Sequence, residues 1–253
     1  MIKLPERLFR NLNIQILIIN TPKGAAVPPK TADWLEGTYI KIINPDGTVD
    51  YEGKEDNIRG RGNSTWGYPK KPYALKLDSK ASILGMPKHK RWVLLANWMD
   101  RTMLRNRVAF TIAEKTCLAW TPRGEFVEVI LNGKHVGNYY LCEQIKVDEN
   151  RVNINELEDT DTEGDAITGG YLMELDTYYD EVNKFKSSRK SLPYMFKDPD
   201  EVDSQQFAYI RNYVNNLENA LYDNARFAAG EYRDYIDVDS FVDWWIVMEL
   251  TGI

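Results

Sequence analysis

An Asn-Gly pair at positions 132 and 133 constrains the fold of this chain more than any other feature of its sequence. Asn and Gly tolerate the positive φ angles that a two-residue hairpin turn requires. Before the pair, Phe126 to Leu131 alternates, with Val127 and Val129 on one side and Glu128 on the other. After it, Val136 to Val147 runs back. The sequence therefore predicts an antiparallel strand pair here.

Further elements are predicted on both sides of this hairpin. Strands are predicted over Asn13 to Asn20, Thr38 to Ile43, Thr48 to Tyr51, 73–78, Trp92 to Leu95 and Gly170 to Asp176. Asp100 is predicted to cap a helix from Arg101 to about Cys117, with Leu104, Val108 and Ile112 on its buried face and Ala109 and Ala113 beside them. Two later helices are predicted to begin at Asp203 and Asp239. Strands with one helix, followed by helices, predict an α+β fold in two halves.

Composition narrows the classes of protein that this chain can belong to. Its 253 residues, 43% of them hydrophobic, allow one large domain or two lobes with a sizeable core. The net charge of −6 gives no support to a general nucleic-acid binder. No apolar run reaches the ~18 residues of a membrane span, and Ile14 to Ile19 is too short for a signal-peptide core. Cys117 and Cys142 have no metal-like spacing and are predicted to be buried free thiols.

The stretch from Ile58 to Asp78 is the best candidate for a site. Residues 59–66 form a glycine-bearing basic turn that contains Arg61, Asn63 and Ser64. The following strand places Lys76 on the face opposite to its apolar residues. A loop rich in donors that leads into a lysine-bearing strand suits a phosphate-bearing ligand. The alternative from the residues alone is a surface loop and an edge strand with a solvated lysine.

Other familiar sites find little support in the sequence. The acidic segment 159–165 resembles a calcium loop, but position 12 is Gly170 and the bidentate glutamate is missing. The two histidines, His89 and His135, have no third metal ligand nearby. There is no P-loop, no dinucleotide-binding glycine motif and no nucleophile elbow. Glu143 remains as a strand carboxylate that could pair with Lys76 or with a ligand.

The order of the elements favours a kinase-type small lobe. Tyr-Ala-Leu-Lys at 73–76 has the form of the kinase strand motif whose lysine holds the α- and β-phosphates. A helix and an antiparallel strand pair follow it, as they do in that lobe. Four residues are weak evidence by themselves, and the order of elements carries more weight.

Six stretches together resemble the CotH family, named for spore coat protein H and regarded as atypical, protein-kinase-like phosphotransferases. They are Arg-Gly-Arg-Gly-Asn-Ser-Thr-Trp (59–66), Lys-Lys-Pro-Tyr-Ala-Leu-Lys-Leu (70–77), Trp-Val-Leu-Leu-Ala-Asn-Trp-Met-Asp (92–100), Leu-Arg-Asn-Arg-Val-Ala (104–109), Phe-Val-Glu-Val-Ile-Leu-Asn-Gly-Lys-His-Val-Gly-Asn-Tyr-Tyr-Leu-Cys-Glu (126–143) and Gly-Gly-Tyr-Leu-Met-Glu-Leu-Asp (169–176). They occur in family order from about residue 58 to residue 253, so the resemblance does not depend on one short motif.

The resemblance implies an α+β, protein-kinase-like fold. Residues 1–57 would form an N-terminal β extension of the small lobe. Residues 58–178 would form a nucleotide-binding, mainly antiparallel lobe with one packed helix, and residues 179–253 the incomplete start of a helical lobe. The implied activity is ATP-dependent phosphorylation of serine or threonine on secreted or surface proteins, with Mg²⁺ or Mn²⁺, in an extracytoplasmic or cell-surface location.

The resemblance also assigns roles to individual residues. Lys76 would contact the nucleotide phosphates as the catalytic lysine, and Arg61, Asn63 and Ser64 would shape the loop near them. Arg105 and Asn106 would start the helix that supports the lysine, and Glu143 would lie at the lysine or at the adenine edge. A nucleotide and a protein substrate are the implied partners.

The sequence departs from the family pattern at its end. In the family, a helix like the one from Asp239 to Leu250 leads to a catalytic aspartate and then to a metal-binding aspartate, whereas this chain ends at Thr251-Gly252-Ile253. We therefore expect no metal ligands in this polypeptide, a truncated part of a longer protein, and little or no catalysis by it as it stands. The rival hypotheses are a non-catalytic surface or coat module that binds protein or glycan, and a purely structural role for Arg61 and Lys76.

Overall fold

The computed structural model describes residues 13–252. Their contacts form two compact units, residues 13–110 with 122–144 and residues 111–121 with 145–252. The predicted division into 1–57, 58–178 and 179–253 stays a prediction. The part of the predicted N-terminal extension before residue 13, and Ile253, lie outside the described residues.

The first unit is a closed barrel of seven strands. The strands are β1 (Gln15–Asn20), β2 (Leu35–Ile43), β3 (Val49–Gly60), β4 (Tyr73–Ile83), β5 (Met86–Leu95), β6 (Gly124–Leu131) and β7 (Lys134–Glu143). They are arranged in the order β1-β2-β3-β4-β5-β7-β6. Neighbours are antiparallel except β1 and β6, which pair in parallel with Ile18 opposite Ile130 and so close the barrel.

Alternate residues of these strands fill the barrel. Leu17 and Ile19 of β1, Leu75 and Leu77 of β4, and Trp92 of β5 are almost fully buried in one apolar cluster. Because side chains alternate between the two faces of a strand, the residues between them point to the outside of the barrel. Lys76, between Leu75 and Leu77, therefore lies on the outer face.

The predicted Asn-Gly hairpin is confirmed. Strands β6 and β7 pair antiparallel, and Leu131 lies opposite Lys134. Asn132 and Gly133 have φ angles of 50° and 77°, as a two-residue hairpin turn with two left-handed residues requires. The Asn132 side-chain oxygen also accepts a hydrogen bond of 2.8 Å from the Thr21 backbone N–H, which ties the turn to the segment after β1.

The predicted fold class is wrong. The expected α+β, kinase-like arrangement of a mainly antiparallel lobe followed by a helical lobe is replaced by a closed mixed barrel and four α-helices. The local patterns specify the individual strands correctly. The closure depends on the parallel pairing of β1 with β6, which are far apart in sequence, and no hairpin signal reports such a pairing.

The second unit combines a small sheet with helices. Its sheet has the order β8-β10-β9, with β8 at Leu172–Leu175, β9 at Lys184–Lys186 and β10 at Pro193–Asp198. Helices α2 (Ser204–Tyr222), α3 (Asn224–Ala229) and α4 (Val238–Thr251) follow. Phe185, Phe196 and Val214 form its core.

Two predicted helix starts can be compared with the structure. Asp203 caps α2 as predicted, through a capping box with Gln206. The cap of α4 is Asp237, whose carboxylate accepts from the backbone N–H groups of Asp239 and Ser240, so the predicted cap at Asp239 is wrong.

Helix α1 (Arg105–Ala113) is shorter than predicted and buries only part of the predicted face. Asp100 lies ahead of it and accepts a hydrogen bond of 2.8 Å from the Arg105 N–H. Leu104 and Val108 are about half exposed, at 50% and 49%, whereas Ala109 and Ala113 are buried. The small residues, which permit a close approach, form the covered side of this helix.

The two cysteines differ in their exposure to solvent. Cys142 is buried and Cys117 is exposed, so the prediction of two buried thiols is wrong for Cys117. Among residues 13–252, no helix combines the length and the apolar character needed to cross a bilayer.

Candidate functional site

The loop after β3 turns sharply and presents Arg61. The Gly60 N–H donates to the Pro28 carbonyl at 2.7 Å, and the Arg61 N–H donates to the Pro72 carbonyl at 3.3 Å. Gly62 has a φ of +80°, and a Cβ there would lie 2.0 Å from the Thr65 Oγ1. Only glycine fits this turn without strain, because a side chain would meet both the positive φ and the Thr65 hydroxyl.

Arg61 lines a cavity of about 200 Å³ at one end of the barrel wall. The other lining residues come from the loop before β4, from the end of β5 with the loop after it, and from the start of α1. The lining comprises Arg61, Thr65, Tyr68, Lys70, Pro72, Leu95, Ala96, Asn97, Trp98, Met99 and Asn106. Tyr68, Trp98 and Met99 supply apolar surface, while Arg61, Lys70 and the two asparagines supply polar groups.

The two asparagines of the cavity are joined by a hydrogen bond. The Asn106 Nδ2 donates to the Asn97 Oδ1 at 2.7 Å, and the Asn97 Nδ2 donates to the Met103 carbonyl at 3.1 Å. Asn97 has a φ of 49°, in the left-handed region that costs free energy for a non-glycine residue. Each amide carries two N–H donors, so Asn106 keeps a second donor for a bound ligand.

Lys70 is the second cation of the cavity. Its Nζ lies 4.5 Å from the centroid of the Tyr139 ring and donates to the Asn138 carbonyl. Burial lowers the pKa of Lys70, and the Glu128 charge acts in the opposite direction. None of the eleven described lining residues carries a carboxylate, so the cavity favours an anionic ligand.

The structure separates the residues that the sequence groups together. Of the residues named from the resemblance, Arg61 and Asn106 are among the described lining residues of the cavity. Asn63 accepts a hydrogen bond from Lys30, Ser64 begins an exposed 3-10 helix (Ser64–Gly67), and Arg105 is exposed at the start of α1.

Lys76 lies on the outer face of β4 and faces another cation. Its direct partner across the β4–β5 ladder is Arg91. Lys76 is four residues beyond Pro72, a lining residue, which corresponds to about 13 Å along a strand. Its role toward the nucleotide phosphates stays a prediction.

Glu143 is a buried carboxylate bound by an arginine. It accepts hydrogen bonds from the Arg123 backbone N–H at 3.0 Å and from the Arg123 Nε and Nη2, each at 2.9 Å. Its side chain is fully covered. It lies opposite Trp92, a core residue, and therefore points to the inner face of the barrel, away from the face of Lys76. The contacts describe a structural ion pair.

Reasoning from the sequence missed Lys70 and Asn97 as site residues, and placed Asn106 only at the start of the helix that supports the lysine. A signal was present, because ten of the eleven lining residues, all except Tyr68, fall in four of the stretches that carry the family resemblance. Those stretches span 59–66, 70–77, 92–100 and 104–109. Only the tertiary structure shows that these stretches converge on one cavity.

The lining fits one part of a metal–nucleotide complex. Arginine, lysine and amide N–H groups suit phosphate oxygens. Ligand cavities usually measure about 300–1,000 Å³, so the 200 Å³ here suits the phosphates better than a whole nucleotide. Mg²⁺ and Mn²⁺ prefer carboxylate oxygens, which the described lining lacks, so the residues do not fit the metal. Within residues 13–252, no group of three or more His, Cys, Asp or Glu side chains is arranged to hold a metal ion.

A family model described as CotH kinase protein matches residues 58–253, which is most of the chain and includes every described residue that lines the cavity. No curated protein matches the chain.

Proposed function

This chain belongs to the CotH family, and from that premise we propose that it binds the phosphates of ATP as part of a protein phosphotransferase. The acceptors would be serine or threonine residues of secreted or surface proteins. The observation that supports the proposal is the cavity at Arg61, with two cations, two amides and no carboxylate among its described lining residues.

Different lining residues would supply different hydrogen-bond donors to the phosphates. The Arg61 guanidinium offers paired N–H groups to a phosphate. The Lys70 ammonium donates one of its three N–H groups to the Asn138 carbonyl and offers the other two from a position fixed by Tyr139 and Asn138. The Asn106 amide adds a neutral donor, and Asn97 orients it through their hydrogen bond. The side chains of Trp98 and Met99 add apolar surface beside these polar groups.

The residues of the cavity can hold a phosphate but cannot complete its transfer. Phosphoryl transfer needs a carboxylate that positions the acceptor hydroxyl and another that holds the metal. Neither is present in the described lining. Bound ATP would supply the phosphoryl group, and the role that we assign to these side chains ends with binding and orienting its phosphates.

Thermal stability in the presence of ATP tests this proposal. A ligand that binds only the folded state must stabilise it, by about 2.7 kcal/mol at a hundred times its Kd. We expect ATP to raise the Tm of the wild-type chain without added metal, and Arg61→Ala and Lys70→Ala each to remove most of that rise. Lys88→Ala, an exposed charge change outside the cavity lining, is the matched control and should keep it.

Two results would overturn the proposal. One is the absence of any ATP-dependent rise in Tm, as the non-catalytic module that binds protein or glycan requires. The other is an undiminished rise in both cavity variants. Lys76→Ala, measured in parallel, tests the separate prediction that Lys76 contacts the phosphates, since its loss should then reduce the rise as well.

A further inference from the structure

The second unit contains a strongly basic hairpin, residues 183–192, made of β9 and the turn into β10. Four of its ten residues are Lys184, Lys186, Arg189 and Lys190, in a chain whose net charge is −6. Among residues 13–252, none of the four forms an ion pair with a carboxylate. By contrast, Lys197 of β10 pairs with Glu174 and Glu181.

Two of these cations are ordered by Tyr179. The Lys184 Nζ donates to the Tyr179 carbonyl at 2.9 Å and lies 4.7 Å from the centroid of its ring. The Lys186 Nζ lies 5.6 Å from the same centroid. An aromatic ring and a carbonyl oxygen orient an ammonium group while leaving its net charge in place. The charges are therefore preorganised for a partner.

The turn of the hairpin is fixed in the same way. The Lys190 Nζ lies 4.1 Å from the centroid of the Tyr222 ring, and the Arg189 Nη2 donates to the Tyr222 carbonyl at 2.6 Å. Beneath the turn, buried Glu218 accepts from the Ser187 hydroxyl at 2.5 Å and from the Arg189 and Lys190 backbone N–H groups at 3.0 and 3.3 Å. This carboxylate fixes the backbone of the turn.

Two carboxylates outside the hairpin, Glu218 and Asp223, interact with it, and both are held by other hydrogen bonds. The Arg189 charge contributes to the lowered pKa of Asp223, after the hydrogen bonds that Asp223 accepts at the start of α3. Its Oδ1 accepts from the Ala225 and Arg226 N–H groups, each at 3.0 Å. Asp223 thus caps a helix, and the four cations outnumber these two carboxylates.

Strand β9 is also an open edge of its sheet, which has the order β8-β10-β9. Ser187 N–H donates to the Leu192 carbonyl, and Phe196 N–H donates to the Asn183 carbonyl. Hydrogen-bonded and non-hydrogen-bonded pairs alternate along an antiparallel ladder. The backbone N–H and C=O groups of Lys184 and Lys186 therefore point away from β10, toward the open edge.

We propose that this edge binds an acidic peptide segment of a protein partner in extended conformation. The peptide backbone would hydrogen-bond to Lys184 and Lys186 as an added strand, and its carboxylates would pair with the four cations. An extended backbone matches both the edge and the charges, whereas a lipid surface or a nucleic acid would match the charges alone. The inference uses no residue of the Arg61 cavity and does not depend on phosphate binding there.

Fluorescence anisotropy with a short labelled peptide of alternating Glu and Thr tests the proposal. We expect saturable binding to the wild-type chain that weakens as salt is added. Lys186→Glu/Arg189→Glu should weaken it by at least about tenfold, because two attractive charges become repulsive. Lys88→Glu/Lys134→Glu changes the net charge equally at exposed positions in the barrel and should leave the affinity nearly unchanged.

A second variant and a second peptide keep the test decisive. Arg189→Gln/Lys190→Gln removes two charges without reversing them and should also weaken binding. Its circular dichroism spectrum should match that of the wild type. The same peptide with alternate backbone nitrogens methylated should bind less tightly, because it cannot complete the strand. Equal binding of both peptides, equal effects of the two Glu double variants, or binding of phosphatidylserine vesicles or single-stranded DNA without binding of the peptide would each overturn the proposal.

Discussion

At the scale of single residues, Asp56 is a buried carboxyl of the barrel that makes stability depend on pH. It has no exposed surface, its two oxygens accept from the Tyr51 hydroxyl at 2.8 and 2.9 Å, and its Oδ1 accepts from the Asp78 N–H at 2.9 Å. Burial raises the pKa of Asp56 above its ordinary value, and these hydrogen bonds only partly oppose it. The position of this carboxyl thus couples the β3–β4 region to pH.

The direction in which the free energy of unfolding changes with pH through Asp56 can be measured. In the unfolded chain an aspartate loses its proton near pH 4, whereas folded Asp56 keeps it to higher pH. Its contribution to the free energy of unfolding is therefore full below the unfolded pKa and is lost as pH rises through the folded pKa. We expect the difference between the wild-type chain and Asp56→Asn, measured by urea denaturation at several pH values, to fall as pH rises.

Asp100 provides a control of the opposite sign. Hydrogen bonds from the Thr102 hydroxyl, and then from backbone N–H groups, lower the pKa of Asp100. Its contribution is present above the unfolded pKa and is lost as pH falls through the folded pKa. The difference between wild type and Asp100→Asn should rise with pH, and slopes of the same sign in both series would contradict the assignment.

Sequence patterns identify some site residues and miss those that meet only in three dimensions. Arg61 is found because a glycine turn beside an arginine is visible in one stretch. Asn97, and its contact with Asn106, are missed because the hydrogen bond between them joins a loop to a helix. Glu143 is grouped with Lys76 in the sequence, but Arg123 binds it on the other face of the barrel wall.

At the scale of single elements, Glu218 of α2 anchors the basic hairpin. It is 3% exposed and accepts three hydrogen bonds from the turn. We expect Glu218→Ala to destabilise the second unit by roughly 2–4 kcal/mol, because a buried hydroxyl and two N–H groups lose a charged acceptor. Chemical denaturation checks this. Glu249→Ala, an exposed carboxylate of α4, is the control, and an equal loss there would argue against the anchor.

Helix α1 shows where element-level prediction stops. The spacing of Leu104, Val108 and Ile112 indicates a helix correctly, but the same spacing relates Ala109 to Ala113. Periodicity identifies several candidate faces, and tertiary packing chooses between them. Here the side of the two alanines is covered, because small side chains permit a closer approach than leucine or valine.

At the scale of the whole molecule, the pairing of β1 with β6 determines the fold of the first unit. Leu17 is fully buried in the barrel core, and its neighbour Ile18 points outward. We expect Leu17→Ala to lower the free energy of unfolding by about 2–5 kcal/mol, through lost burial and a residual cavity. Ile18→Ala is the matched control and should cost clearly less. Equal costs, measured by urea denaturation, would contradict the assignment of the inner face.

The sequence predicts the strands and the Asn-Gly hairpin of this unit, but not the barrel. Hairpin signals are local, because turn residues lie between the strands that they connect. The β1–β6 ladder joins strands that four other strands and a helix separate, and no short-range pattern encodes it. The kinase-like prediction failed at this step, although its individual strands were correct.

Barrel closure by β6 has a consequence for the order of events on the ribosome. Strands β1 to β5 emerge first, and as an open sheet they have two free edges until residues 124–143 follow, because β6 covers β1 and β7 covers β5. Free edges of this kind pair readily with other nascent chains. The completed barrel has no such edges, so its exposure to misassembly is confined to the interval of translation between β5 and β7.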